Sequence, residues 1–154
     1  EEHFGKLIKE PSIIANNVRV EILGRWREMF PEPLKKIMNE LIEITKNHKR
    51  HTLTFLMAYS GLEEMQEAIS KISKLKPKKV TDSLIKENLW TKNLPAVDLV
   101  IRTGGEPHWS SGLMMWDVAD AQLYFTETLW PDFSVPEFRS VISSFGQNER
   151  RFGK

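Results

Sequence analysis

The chain contains no cysteine among its 154 residues. It therefore has no disulfide framework, no thiolate nucleophile and no cysteine-based zinc site. No apolar stretch approaches the roughly 20 residues that a membrane-spanning helix requires. The first residues, EEHFGKLIKEPS, also lack the basic flank and the apolar run of a signal peptide. These absences predict a soluble protein that resides in the cytoplasm.

Neither sign of charge dominates the chain, which carries 22 basic and 21 acidic residues and a formal net charge of +1. A protein with this balance has no overall field that would recruit nucleic acid, so we expect no nucleic-acid partner. Apolar residues make up 40% and charged residues 28%, which is typical of a globular protein. We expect residues 1–154 to form a single domain with a sizeable core.

Segments typical of strands and of helices alternate along the chain. VRVEILG alternates apolar and polar residues, TLTFLMA is an apolar run typical of a strand covered on both faces, and DLVI and QLYF are shorter strand candidates. Apolar residues recur at helical spacing over 34–41, 65–72 and 138–145. Thr81 or Asp82 is predicted to cap a further short helix. The alternation predicts an α/β fold with a mainly parallel sheet surrounded by helices.

The stretch DLVIRTGGEPHWSSG suggests a binding site, because an apolar strand ends on a lone arginine that two glycines follow. In α/β sheets, ligands collect at the carboxyl ends of the strands. Arg102 offers a planar fork of donors that suits phosphate oxygens. Gly104 and Gly105 would let the backbone approach closely and turn its N–H groups toward an anion, while His108 and Ser110 would add donors. The plain alternative is an arginine that caps a sheet edge beside a glycine turn.

Four ordered blocks resemble the cis-prenyltransferases, the undecaprenyl diphosphate synthase family: DLVIRTGGE, SGLMMW, AQLYFTETLWPDF and NERRFG. The upstream segments VRVEILGR and TLTFLMAYSG occur in the matching order, so the resemblance covers nearly all of the chain. It implies a parallel sheet wrapped by helices around a hydrophobic tunnel, and subunits that pair as homodimers. It also implies an activity in isoprenoid biosynthesis. Isopentenyl diphosphate would be condensed with an allylic diphosphate, forming a cis double bond and releasing pyrophosphate.

The same resemblance implies roles for the residues of the glycine stretch. Arg102 and Ser110 match the family's residues that hold isopentenyl diphosphate, and Gly104 and Gly105 match the loop beneath it. These four positions extend the phosphate hypothesis to a named substrate.

Two further segments carry expectations about a dimer. Arg151 and Gly153 match the tail Arg-x-Gly, which in the family reaches across the dimer toward the partner's diphosphate; a solvated helix end is the alternative for Arg151. LYFTETLWPDF matches a segment at the dimer interface, with Trp130 and Phe133 as packing residues. For these two aromatic residues, ordinary core packing remains the alternative.

One block of the family pattern has no counterpart in the chain. The family begins with a strand carrying Asp-Gly-Asn-x-Arg-Trp, whose aspartate binds Mg²⁺ and the allylic diphosphate. Gly24, Arg25 and Trp26 resemble it superficially but follow VRVEIL, which matches a later strand. The chain is therefore interpreted as the C-terminal major part of a catalytic domain. Its catalytic residues are expected in an N-terminal segment that also supplies a strand to the sheet.

Two substitutions weaken the family's site. His108 stands where the family has a second phosphate-binding arginine. Gln122 stands where the family has a glutamate that helps to hold Mg²⁺, so Gln122 is a weakened candidate for a metal ligand, because hard cations prefer a carboxylate to an amide. These changes leave two alternatives to chain elongation open. One is a non-catalytic or degenerate subunit of a heteromeric cis-prenyltransferase, and the other is a phosphate-ligand binding domain without chemistry.

The segment KISKLKPKK holds five lysines within nine residues. A solvated helix end is the ordinary interpretation of such a segment. Peripheral contact with anionic lipid headgroups is the alternative, and a polyprenyl product that partitions into membrane would suit it.

Overall fold

The computed structural model of the protein describes residues 2–147. Within them lie seven α-helices: α1 (Glu2–Ile8), α2 (Pro11–Ala15), α3 (Trp26–Met29), α4 (Glu32–Thr45), α5 (Gly61–Leu75), α6 (Asp82–Asn88) and α7 (Val135–Gln147). The same residues form four strands: β1 (Val18–Leu23), β2 (His51–Leu56), β3 (Leu99–Arg102) and β4 (Gln122–Phe125). Two short 3-10 turns follow β3 and β4, at Ser110–Gly112 and Trp130–Asp132. None of the helices described is long and apolar enough to cross a membrane.

The four strands form two parallel pairs. β1 lies parallel to β2, and β3 lies parallel to β4 with Leu99 opposite Gln122 and Arg102 opposite Phe125. Parallel neighbours need a long crossover connection. Helices α3 and α4 provide it between β1 and β2, and residues 103–121 provide it between β3 and β4. The predicted α/β class with parallel strands is confirmed, with the described strands arranged as two pairs.

The main core forms where α4 packs on β1. Val20, Trp26, Met38 and Leu41 are at most 1% exposed and belong to one apolar cluster. Val20 belongs to the apolar face that alternation along β1 predicts, and Met38 and Leu41 lie on the apolar stripe of α4. Burial of these side chains is the largest favourable contribution to this half of the fold.

Strand β2 is less covered than its apolar run predicts. Its first three residues are exposed, and Leu53 is 36% exposed. Further along the strand, Phe55 packs edge-on against Phe4 of α1, with ring centroids 5.4 Å apart. The prediction that this strand is covered on both faces is therefore wrong for the residues described, because α2 and α4 contact β1 instead.

Side-chain caps set the starts of α5, α6 and α7. Ser60 accepts a hydrogen bond from the Glu63 N–H at the start of α5, at 3.4 Å. Thr81 rather than Asp82 caps α6, since its hydroxyl accepts from the Leu84 N–H at 3.3 Å. A third cap precedes α7. Each cap satisfies a backbone donor that the first turn of a helix leaves unpaired.

Thr45 joins α4 to β1 through a buried hydroxyl. Its side chain is fully buried, and Oγ1 donates to the Leu41 carbonyl at 2.8 Å. The same oxygen accepts from the Val20 N–H at 3.0 Å. The hydroxyl thus pairs a strand N–H that has no access to water.

Replacing Thr45 with valine should destabilise the protein. Thr45→Val keeps the shape of the side chain but leaves the Val20 N–H buried without an acceptor, which costs about 1–3 kcal/mol. We expect the urea midpoint of Thr45→Val to fall accordingly, while the exposed control Thr52→Val on β2 stays within about 0.5 kcal/mol of the parent. Equal midpoints for the two variants would contradict the role assigned to the hydroxyl.

Candidate functional site

A small pocket lies at the carboxyl end of β3, where the chain leaves the strand for its crossover to β4. Arg102 is the last residue of β3, and the pocket has a volume of about 190 Å³. Arg102, His108 and Ser110 line it together, with apolar walls from Ile101 and Leu113. Three of the predicted site residues are therefore brought together around one cavity.

Arg102 is incompletely paired. Its side chain is 32% exposed, and Nη2 donates to Glu106 Oε2 at 3.4 Å, which is long for a hydrogen bond between charged groups. The Nε atom is buried and has no hydrogen-bond partner among residues 2–147. A buried donor without an acceptor is costly, so an anion that reached this edge of the guanidinium would relieve that cost.

Glu106 is a counter-ion that the sequence analysis did not identify. Its Oε2 atom approaches Arg102, and His108 Nδ1 lies 3.5 Å from the same oxygen. Glu106 and His108 are well exposed, at 65% and 59%, so water screens these contacts and they stabilise the fold little. In the sequence, this role was indicated by the acidic residue that directly follows the two glycines. An anionic ligand in the pocket would compete with this carboxylate for both side chains.

The two glycines form a turn and do not offer their N–H groups to a ligand. Gly104 and Gly105 have φ values of +94° and +73°, in the region that favours glycine. The Gly104 N–H donates to the Thr128 carbonyl at 2.9 Å, and the Gly105 N–H donates to the Thr126 carbonyl at 3.0 Å. The prediction that these N–H groups turn toward an anion is therefore wrong, because the segment after β4 accepts both. Their assignment to the loop beneath a substrate stays a prediction.

Ser110 belongs to a turn that makes a close backbone contact with α5. It begins the 3-10 turn Ser110–Gly112. A Cβ atom built on Gly61, the first residue of α5, would lie 1.7 Å from the Gly112 carbonyl oxygen. The turn thus rests directly on the start of α5, and a residue larger than glycine at position 61 would displace it.

A buried hydrogen-bond network supports the chain just after this turn. The Tyr59 hydroxyl donates to the Glu64 carboxylate and accepts from the Met114 N–H at 3.1 Å. Glu64 is 3% exposed and also accepts from the Thr91 N–H at 2.8 Å. Burial, together with the hydrogen bond to Glu64, raises the pKa of Tyr59 well above its ordinary value. Tyr59 therefore remains a neutral donor at physiological pH.

Asp117 extends the network to α6. Its carboxylate accepts from Lys86 Nζ and, at 2.7 Å, from the Thr91 hydroxyl. Lys86 also donates to the Thr91 carbonyl at 2.9 Å. Asp117 is buried and its oxygens are occupied by these partners, so its role is structural.

The described residues do not fit a magnesium site. Nowhere in residues 2–147 do three or more histidine, aspartate or glutamate side chains converge where a cation could bind. Gln122 does not line the pocket, and its backbone lies opposite Leu99, roughly 10 Å along the strand pair from the level of Arg102. Magnesium needs several oxygen ligands in a regular octahedron. Gln122 as a metal ligand stays a prediction.

The residues expected to act across a dimer divide into two groups. Arg151 and Gly153 lie outside the described residues. Trp130 is 74% exposed and stacks on Phe133, with ring centroids 6.3 Å apart and planes inclined by 18°. Ordinary core packing is therefore wrong as an account of Trp130.

Comparisons with known proteins agree with the resemblance in sequence. A family model described as "Putative undecaprenyl diphosphate synthase" matches residues 3–153. The chain is 32% identical to the "Tritrans,polycis-undecaprenyl-diphosphate synthase (geranylgeranyl-diphosphate specific)" of Thermococcus kodakarensis, over 100% of this chain and 60% of that protein. It is 34% identical to the "Isoprenyl transferase" of Chlorobaculum tepidum, over 92% of this chain and 55% of that protein.

Two solved structures share the fold. A "probable undecaprenyl diphosphate synthase" from Campylobacter jejuni superposes with a TM-score of 0.84 at 24% identity, over 99% of this chain and 70% of that one. The lavandulyl diphosphate synthase from Lavandula x intermedia, in complex with dimethylallyl diphosphate, gives 0.85 at 22% identity, over 98% and 68%. The chain spans 55–60% of the length of the two curated relatives named above.

The contact between α5 and the 3-10 turn can be tested by adding one methyl group. Gly61→Ala places a Cβ atom against the Gly112 carbonyl and should displace the turn, so we expect faster amide hydrogen exchange over residues 110–115. Gly146→Ala is the matched control, because a Cβ atom there meets nothing within 4 Å and alanine favours a helix. Unchanged exchange over 110–115 in Gly61→Ala would show that the turn does not depend on this contact.

Proposed function

Because the chain belongs to the undecaprenyl diphosphate synthase family, we propose that it forms the isopentenyl diphosphate site of an enzyme that elongates prenyl chains in the cis configuration. The observation that carries the proposal is the pocket in which Arg102, His108 and Ser110 meet at the carboxyl end of β3. The relatives are named as a synthase and an isoprenyl transferase, which favours elongation over a non-catalytic subunit.

The size of the pocket suits a head group. Pockets for drug-sized ligands begin at about 300 Å³. A volume of about 190 Å³ therefore matches a diphosphate better than a whole substrate with its hydrocarbon chain. Arg102 would present its unpaired Nε and its weakly paired Nη2 to the phosphate oxygens, and Ser110 would add a hydroxyl donor.

In the proposed reaction these residues orient the attacking substrate. The C–O bond of the allylic diphosphate breaks, and pyrophosphate leaves with the electron pair. The double bond of isopentenyl diphosphate attacks the allylic carbon, and loss of a proton from its C2 forms the new cis double bond. Holding the diphosphate in one orientation reduces the entropy cost of bringing the two carbons together. None of the described residues is assigned to the ionisation of the allylic diphosphate.

The family is known to use a divalent metal, and Mg²⁺ is the ion that the resemblance implies. Such an ion would neutralise charge on the departing pyrophosphate. The described residues form no site for it.

The exposed aromatic segment supports a homodimer. Large apolar side chains are exposed along β4, the 3-10 turn that follows it and α7: Leu123, Phe125, Leu129, Trp130, Val135, Phe138 and Ile142. Monomeric proteins seldom expose so many apolar residues in one segment, and tryptophan is enriched at the energetic centres of interfaces. We infer that this segment, with Trp130 at its most exposed point, packs against a second copy of the chain.

Removing the Arg102 guanidinium should weaken binding of isopentenyl diphosphate. Arg102→Ala should cost roughly 2 kcal/mol, the scale of a hydrogen bond to a charged group. Arg102→Lys should recover part of this loss, because a point charge cannot reproduce the planar fork. Arg19→Ala is the control, since Arg19 lies on β1 and pairs with Glu21 at 2.9 Å. Calorimetry that finds unchanged affinity in both Arg102 variants would remove Arg102 from the site.

A charge at position 130 should disrupt the dimer. Trp130→Glu would bury a carboxylate in the proposed interface, and we expect the dimer dissociation constant to rise at least tenfold. Met29→Glu introduces the same charge at an apolar residue of α3 that is 62% exposed, and it should leave the constant unchanged. Analytical ultracentrifugation measures both. A monomeric parent, or a Trp130→Glu variant that dimerises normally, would contradict the proposed interface.

A further inference from the structure

A second cavity, separate from the pocket at the carboxyl end of β3, opens between α5 and α6. It has a volume of about 440 Å³, and it shares no lining residue with the pocket at Arg102. Its lining is largely apolar and includes Met65, Ala68, Ile69, Ile72, Val80 and Ile85. We call this cavity the α5–α6 groove.

The groove is shaped to admit an apolar chain from outside. Ala68 and Ile72 are buried, at 0% and 7% exposure, and form its floor. Ile69 and Val80 are 59% and 53% exposed and lie at its rim. Covering these two exposed side chains with hydrocarbon would remove apolar surface from water, which is favourable.

Positive charge is concentrated at the end of the groove where α5 stops. Residues 71–79 contain five lysines and no acid, and Lys76 itself lines the groove. Lys71 is paired with Glu67 at 2.6 Å. The other four have no ion-pair partner in the part of the chain that the structure describes: Lys74, Lys76, Lys78 and Lys79. Unpaired cations beside an apolar groove are complementary to an amphiphile with an anionic head.

From this juxtaposition we propose that the α5–α6 groove is a membrane-docking site that takes one hydrocarbon chain of an anionic phospholipid. Lys74, Lys76, Lys78 and Lys79 lie against the headgroups, and the rim residues Ile69 and Val80 enter the interface of the bilayer. Basic residues near an anionic surface attract it individually, so four of them beside an apolar insertion combine two sources of affinity.

A second copy of the chain is a poorer occupant of the groove. A two-fold contact presents the same patch from both subunits, so it would bring the two lysine clusters near each other. Like charges at an interface oppose association. The groove also lies on elements other than β4 and α7, where the dimer contact is inferred.

The first experiment measures binding of the protein to vesicles by co-sedimentation. We expect binding to vesicles of phosphatidylcholine mixed with phosphatidylglycerol, and much weaker binding to phosphatidylcholine alone. Lys78→Ala/Lys79→Ala should lower the affinity about 30-fold, which corresponds to about 1 kcal/mol for each basic residue near the surface. Lys36→Ala/Lys49→Ala removes the same charge from exposed positions elsewhere and should have little effect. Equal binding to both vesicles, or an equal loss in both double variants, would overturn the proposal.

A second experiment places a reporter in the groove itself. The chain has no cysteine, so Ile69→Cys gives a single site for an environment-sensitive fluorophore, and Lys36→Cys gives the control. On anionic vesicles the emission at position 69 should shift to the blue, and the emission at position 36 should not. Vesicle binding without a shift at position 69 would show that the groove stays empty. A shift that depends on protein concentration without vesicles would assign the groove to a second copy of the chain.

These outcomes are independent of the proposed enzymatic function. Arg102→Ala leaves the α5–α6 groove unchanged and should bind vesicles as the parent does. A variant that loses diphosphate binding but keeps vesicle binding would therefore have lost the function of the pocket alone. A variant that loses vesicle binding but keeps diphosphate binding would have lost the function of the groove alone.

Discussion

Two buried carboxylates hold the parts of this fold in register. Glu64 on α5 accepts from Tyr59, which follows β2, and from the backbone of Thr91. Asp117, which follows β3 in the chain, accepts from the Thr91 hydroxyl and from Lys86 on α6. Separating these segments would leave a buried carboxylate without its partners, and this is strongly destabilising. The network thereby fixes the β1–β2 half of the molecule relative to the crossover that follows β3.

The pocket at Arg102 depends on that constraint because its two sides have different supports. Arg102 is carried by the β3–β4 pair, whereas Ser110 belongs to a turn that rests on Gly61 at the start of α5. Tyr59 adds a hydrogen bond to the Met114 N–H just beyond the turn. A site assembled in advance spends less binding free energy on ordering itself when a ligand arrives. The small size of the pocket and the contacts that support it therefore favour recognition of a compact, charged group.

The sequence predicted the parts of the site that are close together in the chain, and it missed those set by distant contacts. Arg102 and Ser110 are separated by a few residues beyond a strand end, so their common pocket follows from local geometry. The N–H groups of Gly104 and Gly105 were misassigned because their acceptors lie beyond β4, and only the fold brings them near. Glu64 gave no signal of burial, since an acid in the first turn of a helix normally faces water. Contacts between residues close together in the chain can be predicted from the sequence, whereas contacts between distant segments cannot.

A comparison of two partly buried cations separates a structural role from a binding role. The Lys86 side chain is 24% exposed and donates both to Asp117 and to the Thr91 carbonyl. The Arg102 side chain is 32% exposed, yet its Nε has no partner among residues 2–147 and its Nη2 reaches Glu106 at 3.4 Å. An arginine that only capped a sheet edge would gain stability from well-placed acceptors, as Lys86 does. Arg102 lacks a partner at Nε and has only a long contact at Nη2, and this deficit is the physical reason to propose a ligand for it.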